Sequence, residues 1–192
     1  YDVVVDSDIE DGALTYGECV IPGQTEGVGV IYTHTCHPSL ANDNVSGMVV
    51  AAALARALQR ERPRLTWKIV FGPGTIGSLA WLSRNEGSLA NVRCGLTIGL
   101  LGDDSPLTYK RTRLGGTLTD RAAALVLGQA GVPHREFDFE PYGYDERQFC
   151  SPGFDLPIGR LSRAVHAGYP AYHSSGDDLS LLRADALAES IR

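Results

Sequence analysis

Little in the 192-residue chain marks a stapled or membrane-embedded protein. Its 4 cysteines, Cys19, Cys36, Cys94 and Cys150, lie far apart with no C-x-x-C pair, which argues against a zinc ribbon or a disulfide framework and suits a reducing cytoplasm. No stretch reaches the ~18 consecutive apolar residues of a membrane-spanning helix, and the amino terminus lacks the charged, apolar, small-residue order of a secretory signal. A long Lys/Arg block is missing too. With 17 Lys+Arg against 23 Asp+Glu (net −6), the chain has no clustered charge to neutralise phosphates, so a small molecule or peptide is the expected partner rather than nucleic acid. The chain opens Tyr1-Asp2-Val3 with no initiator Met, its single Met being Met48, which predicts a piece of a longer protein.

What is present is enough apolar material, 43% of residues, for a real core, and no repeat or linker divides the chain, so residues 1–192 are expected to form one domain. The short, nearly continuous apolar runs Val28 to Thr33, Trp67 to Phe71 and Leu96 to Leu101 suit strands covered on both faces. Between them fall an Ala/Leu-rich helix from Val45 to Arg60, with Asn42-Asp43-Asn44 available to cap it, and a helix from Thr75 to Arg84. Alternation of strand and helix predicts an α/β fold: a mixed, mainly parallel central sheet with helices on both faces. Leu107 to Lys110 and Leu156 to Leu161 read as further strands, Leu118 to Gln129 and Arg183 to Arg192 as helices, and Ala13 to Ile21 as an antiparallel edge segment.

The densest chemistry lies in Thr33-His34-Thr35-Cys36-His37-Pro38-Ser39-Leu40-Ala41-Asn42-Asp43-Asn44-Val45-Ser46-Gly47, between a buried strand and a helix, where open α/β sheets bind ligands. His34, His37 and Asp43 are of the types that bind hydrolytic zinc. A second stretch, Pro141 to Gly153, sets the charged residues Asp145, Glu146 and Arg147 among aromatics, Pro and Gly, where Glu146 or Asp145 could act as a general base; a salt-bridged surface turn is the plainer alternative. A third, His166 to Asp178, offers a late His173 and the pair Asp177-Asp178, which could orient an imidazole or merely cap the closing helix. Cys36 could be a nucleophile or a small half-buried side chain, Tyr109-Lys110-Arg111-Thr112-Arg113 an anion site or a solvated strand face, and Asp103-Asp104 an alternative base or a turn.

The run from His34 to Gly47 resembles the zinc aminopeptidase superfamily that also includes glutaminyl cyclases, in which a strand-end His precedes a D-[DN]-x-[SA]-G loop; here that loop is Asp43-Asn44-Val45-Ser46-Gly47. Tyr172-His173-Ser174-Ser175 followed by Asp177 is similar to the setting of its last ligand. More closely, THTCHPSLANDNVSG, GTIGSLAWL, YDERQFCSPGF and LPIGRLSR resemble a bacterial aminopeptidase-like family found among polysaccharide and natural-product biosynthesis proteins, whose members are longer and carry an additional domain. The resemblance implies metal ligands at His34, Asp43 and His173. It also shows two departures: Gly74 and Gly99 stand about where the dinuclear enzymes carry carboxylates. The remaining His-Asp-His set is the ligand count of one catalytic zinc with an open position.

The expectation is therefore a zinc-dependent hydrolase of an amide bond, with one zinc per chain held by His34, Asp43 and His173. It would act on a small biosynthetic intermediate or peptide. Glu146 or Asp145 would relay protons, and His37, Arg147 and His166 would face substrate. The alternative is a non-catalytic metal- or ligand-binding module on the same scaffold.

Overall fold

A computed structural model describes residues 1–165 and 168–192. His166, expected to face substrate, lies outside the described residues.

Among the described residues seven strands form one sheet: β1 (Gly17–Ile21), β2 (Val28–His34), β3 (Thr66–Gly72), β4 (Val92–Ile98), β5 (Leu107–Lys110), β6 (His134–Phe137) and β7 (Ile158–Ser162), in the order β1-β3-β2-β4-β7-β5-β6. The middle, β3-β2-β4-β7, is parallel; β1 joins β3 and β5 joins β7 antiparallel, and β6 lies parallel to β5. The mixed, mainly parallel sheet expected from the sequence is what forms.

Helices cover both faces because successive residues of each buried strand point to opposite sides. Ile31 and Ile69 face a core shared with α1 (Gly47–Leu58), α3 (Leu118–Ala130) and α5 (Ala184–Ile191). Their neighbours Val30, Tyr32 and Val70 face the other core, against α2 (Ile76–Asn85) and the single turn α4 (Glu146–Phe149). Helix α3 begins in a capping box, with Thr117 and Asp120 exchanging side-chain to backbone bonds, and ends at Gly131, whose φ of 66° needs a residue without Cβ strain.

Two readings shift. Strand β4 runs Val92–Ile98 rather than Leu96 to Leu101, because the chain beyond Ile98 is taken over by side chains of the loop after β2. Leu100 N–H donates to Asn44 Oδ1 (3.0 Å), Leu101 N–H to Ser46 Oγ (3.0 Å) and Gly102 N–H to Asn42 Oδ1 (2.8 Å). For the same reason none of Asn42, Asp43 and Asn44 caps α1: their polar groups are used elsewhere, and residues 41–46 form an irregular helical turn ahead of it. The polar edge strand β6 was not anticipated.

Candidate metal centre

Strand β2 delivers His34 at its carboxyl end, and the loop that follows doubles back so that Asp43 meets it, with Nε2 of His34 2.6 Å from Oδ1 of Asp43. The other oxygen, Oδ2, lies 3.0 Å from Nε2 of His173 and 3.4 Å from Nδ1 of His37. The ligand atoms of His34, His37 and Asp43 all fall within 4.8 Å of one another. Ligand atoms around a tetrahedral zinc are about 3.3 Å apart, which these separations approach. Nδ1 of His37 is buried without a hydrogen-bond partner among the described residues. Such an orphaned imidazole nitrogen, beside a carboxylate ringed by three imidazoles, fits a divalent cation. His173 reaches the centre from a backbone with φ 52° and is stacked on Tyr172, ring centroids 3.9 Å apart.

The electrostatics suit ligation. Burial lowers the His34 pKa, against the pull of Asp43, and so favours the neutral imidazole that binds metal. Burial works to raise the Asp43 pKa, but its bond to His34 and the charges of the three imidazoles hold it below the usual carboxylate range. Asp177 supports Asp43 from behind, accepting the backbone N–H of Asn42 (2.6 Å) and of Asp43 (3.0 Å) and the Tyr169 hydroxyl (2.6 Å). It thus orients the carboxylate's backbone, not an imidazole.

The two acids of the later loop are shifted in opposite directions. Glu146 is 1% exposed and bound to Lys110 Nζ (3.0 Å), with Arg160 Nη1 at 3.8 Å. Burial would raise its pKa, yet Arg160 and Lys110 together keep it low. Asp145 is buried with Oδ1 unpartnered among the described residues, and desolvation, reinforced by the charge of Glu146 and opposed by Ser78, Arg160 and Arg147, pushes it up to about 7. Asp145, Glu146 and Arg160 line a small cavity with His34, Gly99 and Tyr144. Beside it a larger pocket of about 290 Å³ opens onto His34, His37, Asp43 and His173, walled by Tyr142, Tyr144, Arg160 and Tyr172.

The two glycine departures have a steric reading. A Cβ on Gly99 would lie 2.8 Å from Oδ1 of Asn44 and 3.2 Å from Cε1 of His34, and one on Gly74 would lie 2.5 Å from the Tyr144 ring. Asn44 and Tyr144 thus fill the space next to Gly99 and Gly74. Cys36 is held by the Gly74 N–H (2.9 Å) and approaches the Tyr144 hydroxyl (3.2 Å); among the described residues no imidazole bonds to it.

The structure therefore brings His34, His37, Asp43 and His173 together and sets Asp145 and Glu146 beside them. Arg147 is exposed and lies outside the pocket wall. The Tyr109 to Arg113 segment is not one anion site: Tyr109 bonds Asp120, Lys110 holds Glu146, Arg111 pairs with Glu136 and Asp138, and Arg113 with Asp155. Asp103 is buried, accepting from Asn42 Nδ2 (2.7 Å). Sequence reasoning missed Tyr144 and Arg160 as pocket residues; the available signal for the latter was a lone cation inside the apolar run Leu156 to Leu161.

Comparison with known proteins bears on the scaffold. A protein of Clostridium acetobutylicum, described as a candidate polysaccharide biosynthesis protein with an aminopeptidase-like domain, is 44% identical over 192 residues. The chain spans 44% of that curated relative's length. A crystal structure of a candidate peptidase from the same organism superimposes with a TM-score of 0.89 at 41% identity, covering 92% of this chain and 42% of that one. A zinc aminopeptidase from Bacillus subtilis shares the fold, with a TM-score of 0.74 at 18% identity over 92% of this chain and 47% of its own. Across residues 2–192 the sequence matches the DUF4910 family, a domain of unknown function, and the chain belongs to that family, on an aminopeptidase-like α/β scaffold.

Proposed function

We propose that this chain is the zinc-binding part of a hydrolase that cleaves an amide bond in a small biosynthetic intermediate or peptide. The observation that carries the reading is the convergence of His34, His37 and His173 on the two oxygens of Asp43 at the mouth of a 290 Å³ pocket. His34, Asp43 and His173 would hold one ion, with His37 the additional nitrogen on the Oδ2 side; Asn44 and Tyr144, filling the space beside Gly99 and Gly74, support one ion rather than two. When bound, zinc supplies a polarised carbonyl and a water acidic enough to attack near neutral pH.

The chain's own part is proton handling and enclosure. Asp145, with a pKa of about 7 and a free oxygen, suits taking up and returning a proton near neutrality. Glu146 is committed to Lys110 and keeps a fixed negative charge behind it. The tyrosines of the wall narrow the pocket towards small substrates. Four free cysteines support a cytoplasmic setting.

The burial of Asp145 and the absence of side chains at Gly74 and Gly99 favour one competing reading, a non-catalytic metal- or ligand-binding module. The test is metal content of purified protein and of His34→Ala, Asp43→Ala, His173→Ala and His37→Ala, followed by hydrolysis of a panel of aminoacyl and acyl amides. One zinc per chain, lost in the first three variants, with amide cleavage lost in Asp145→Asn, is the expected result. Zinc without any cleavage supports the module in its metal-binding form, and no zinc binding overturns the hydrolase and favours the module in its ligand-binding form.

A further inference from the structure

Arg160 lies on β7 in register with Lys110 of β5 across an antiparallel pair, so two cations stand directly opposite each other inside the sheet. Like charges so placed repel, and burial makes the repulsion worse. Their shared counter-charge is Glu146, which is divided unequally: it is 3.0 Å from Lys110 but 3.8 Å from Arg160, and it also accepts the Tyr144 N–H. Lys110 is further satisfied by the Tyr142 carbonyl at 2.6 Å. The guanidinium of Arg160, on a side chain only 11% exposed, makes no hydrogen bond among the described residues, although it carries five donors. It borders the pocket that holds His34 and Asp43, and its charge is felt at His34. By contrast Arg111 and Arg113 already hold carboxylates at 2.8 and 3.0 Å.

We infer that Arg160 is the specificity-determining residue of this pocket and receives a carboxylate on the substrate. The substrate class is then a small amide bearing a carboxylate near the scissile bond, a planar anion that the guanidinium fork can hold by two parallel hydrogen bonds. The inference rests on the pocket being the substrate site proposed above, and it needs no titration and no further cofactor.

The test compares succinate with succinamide, of similar size but without charge, by calorimetry on zinc-loaded protein and on Arg160→Met and Arg160→Lys. Zinc content is measured in each. The expected result is a preference for succinate of at least about tenfold in the wild type, lost in Arg160→Met, partly kept in Arg160→Lys, with zinc content unchanged. Equal binding of the two probes by the wild type, or an undiminished preference in Arg160→Met, would overturn it. A second measurement needs neither a variant nor a metal: phenylglyoxal labelling of Arg160, followed by mass spectrometry, should be slowed by succinate and not by succinamide. Equal labelling in both would also overturn the inference. A failure of the zinc reading shows in the metal content and leaves the labelling experiment intact, so the two failures are distinguishable.

Discussion

Replacing Asp145 with Asn should make the protein more stable relative to the wild type as the pH rises. A carboxyl with a native pKa of about 7 against an ordinary 3.8 disfavours its ionised form by about 4 kcal/mol. Between those two values the folded protein keeps the proton while the unfolded chain has released it. Wild-type stability therefore falls as pH rises from about 4 to about 7, and the full penalty is present above that. The amide keeps the shape and cannot ionise, but leaves a polar group short of partners, a cost of about 1–3 kcal/mol at every pH. Urea unfolding in chelator at pH 5 and pH 8.5 isolates the effect, because the histidines titrate alike in both proteins and cancel in the difference. Between these pH values the stability of Asp145→Asn relative to wild type should grow by about 2–3 kcal/mol. Parallel profiles would refute the claim that burial holds this carboxyl neutral.

Further expectations concern the frame around the centre. Lys110→Met should cost about 3 kcal/mol in urea unfolding, since it strips the hydrogen-bonded partner from the buried Glu146. Gly99→Ala, which pushes a methyl against Asn44 and His34, should cost about 1–3 kcal/mol, whereas Gly87→Ala, with nothing within 4 Å, should cost nearly nothing. Asp177→Ala frees the N–H groups that present Asp43, and should weaken zinc binding roughly 10–100-fold in a competition titration.

The strands of the parallel middle were legible because burial on both faces demands uninterrupted apolar runs, and Leu107–Lys110 is read to the residue. The strand β6 was not, because His-Arg-Glu-Phe alternates in burial at a sheet edge and carries no apolar run. His34, His37 and Asp43 could be grouped from sequence since one strand end and one loop supply all three, while His173 comes from 130 residues beyond Asp43 and was reached only by resemblance. The relation of Asp145 to Glu146 could not be read, because Lys110 and Arg160, which hold Glu146 low while burial raises Asp145, arrive from distant strands. The premature end of β4 was equally hidden: which carbonyl or amide a loop side chain will capture is a tertiary fact.

That capture gives the molecule a built-in reporter. The amides of Leu100, Leu101 and Gly102 are held by Asn44, Ser46 and Asn42, which flank the Asp43 carboxylate on both sides in the chain. Any ion that pulls Asp43 towards the imidazoles must tug on the residues beside it, and those in turn hold three N–H groups in the segment that follows β4. The resonances of these three amides should therefore move on zinc titration although none of them belongs to a ligand, allowing metal loading to be followed without a substrate.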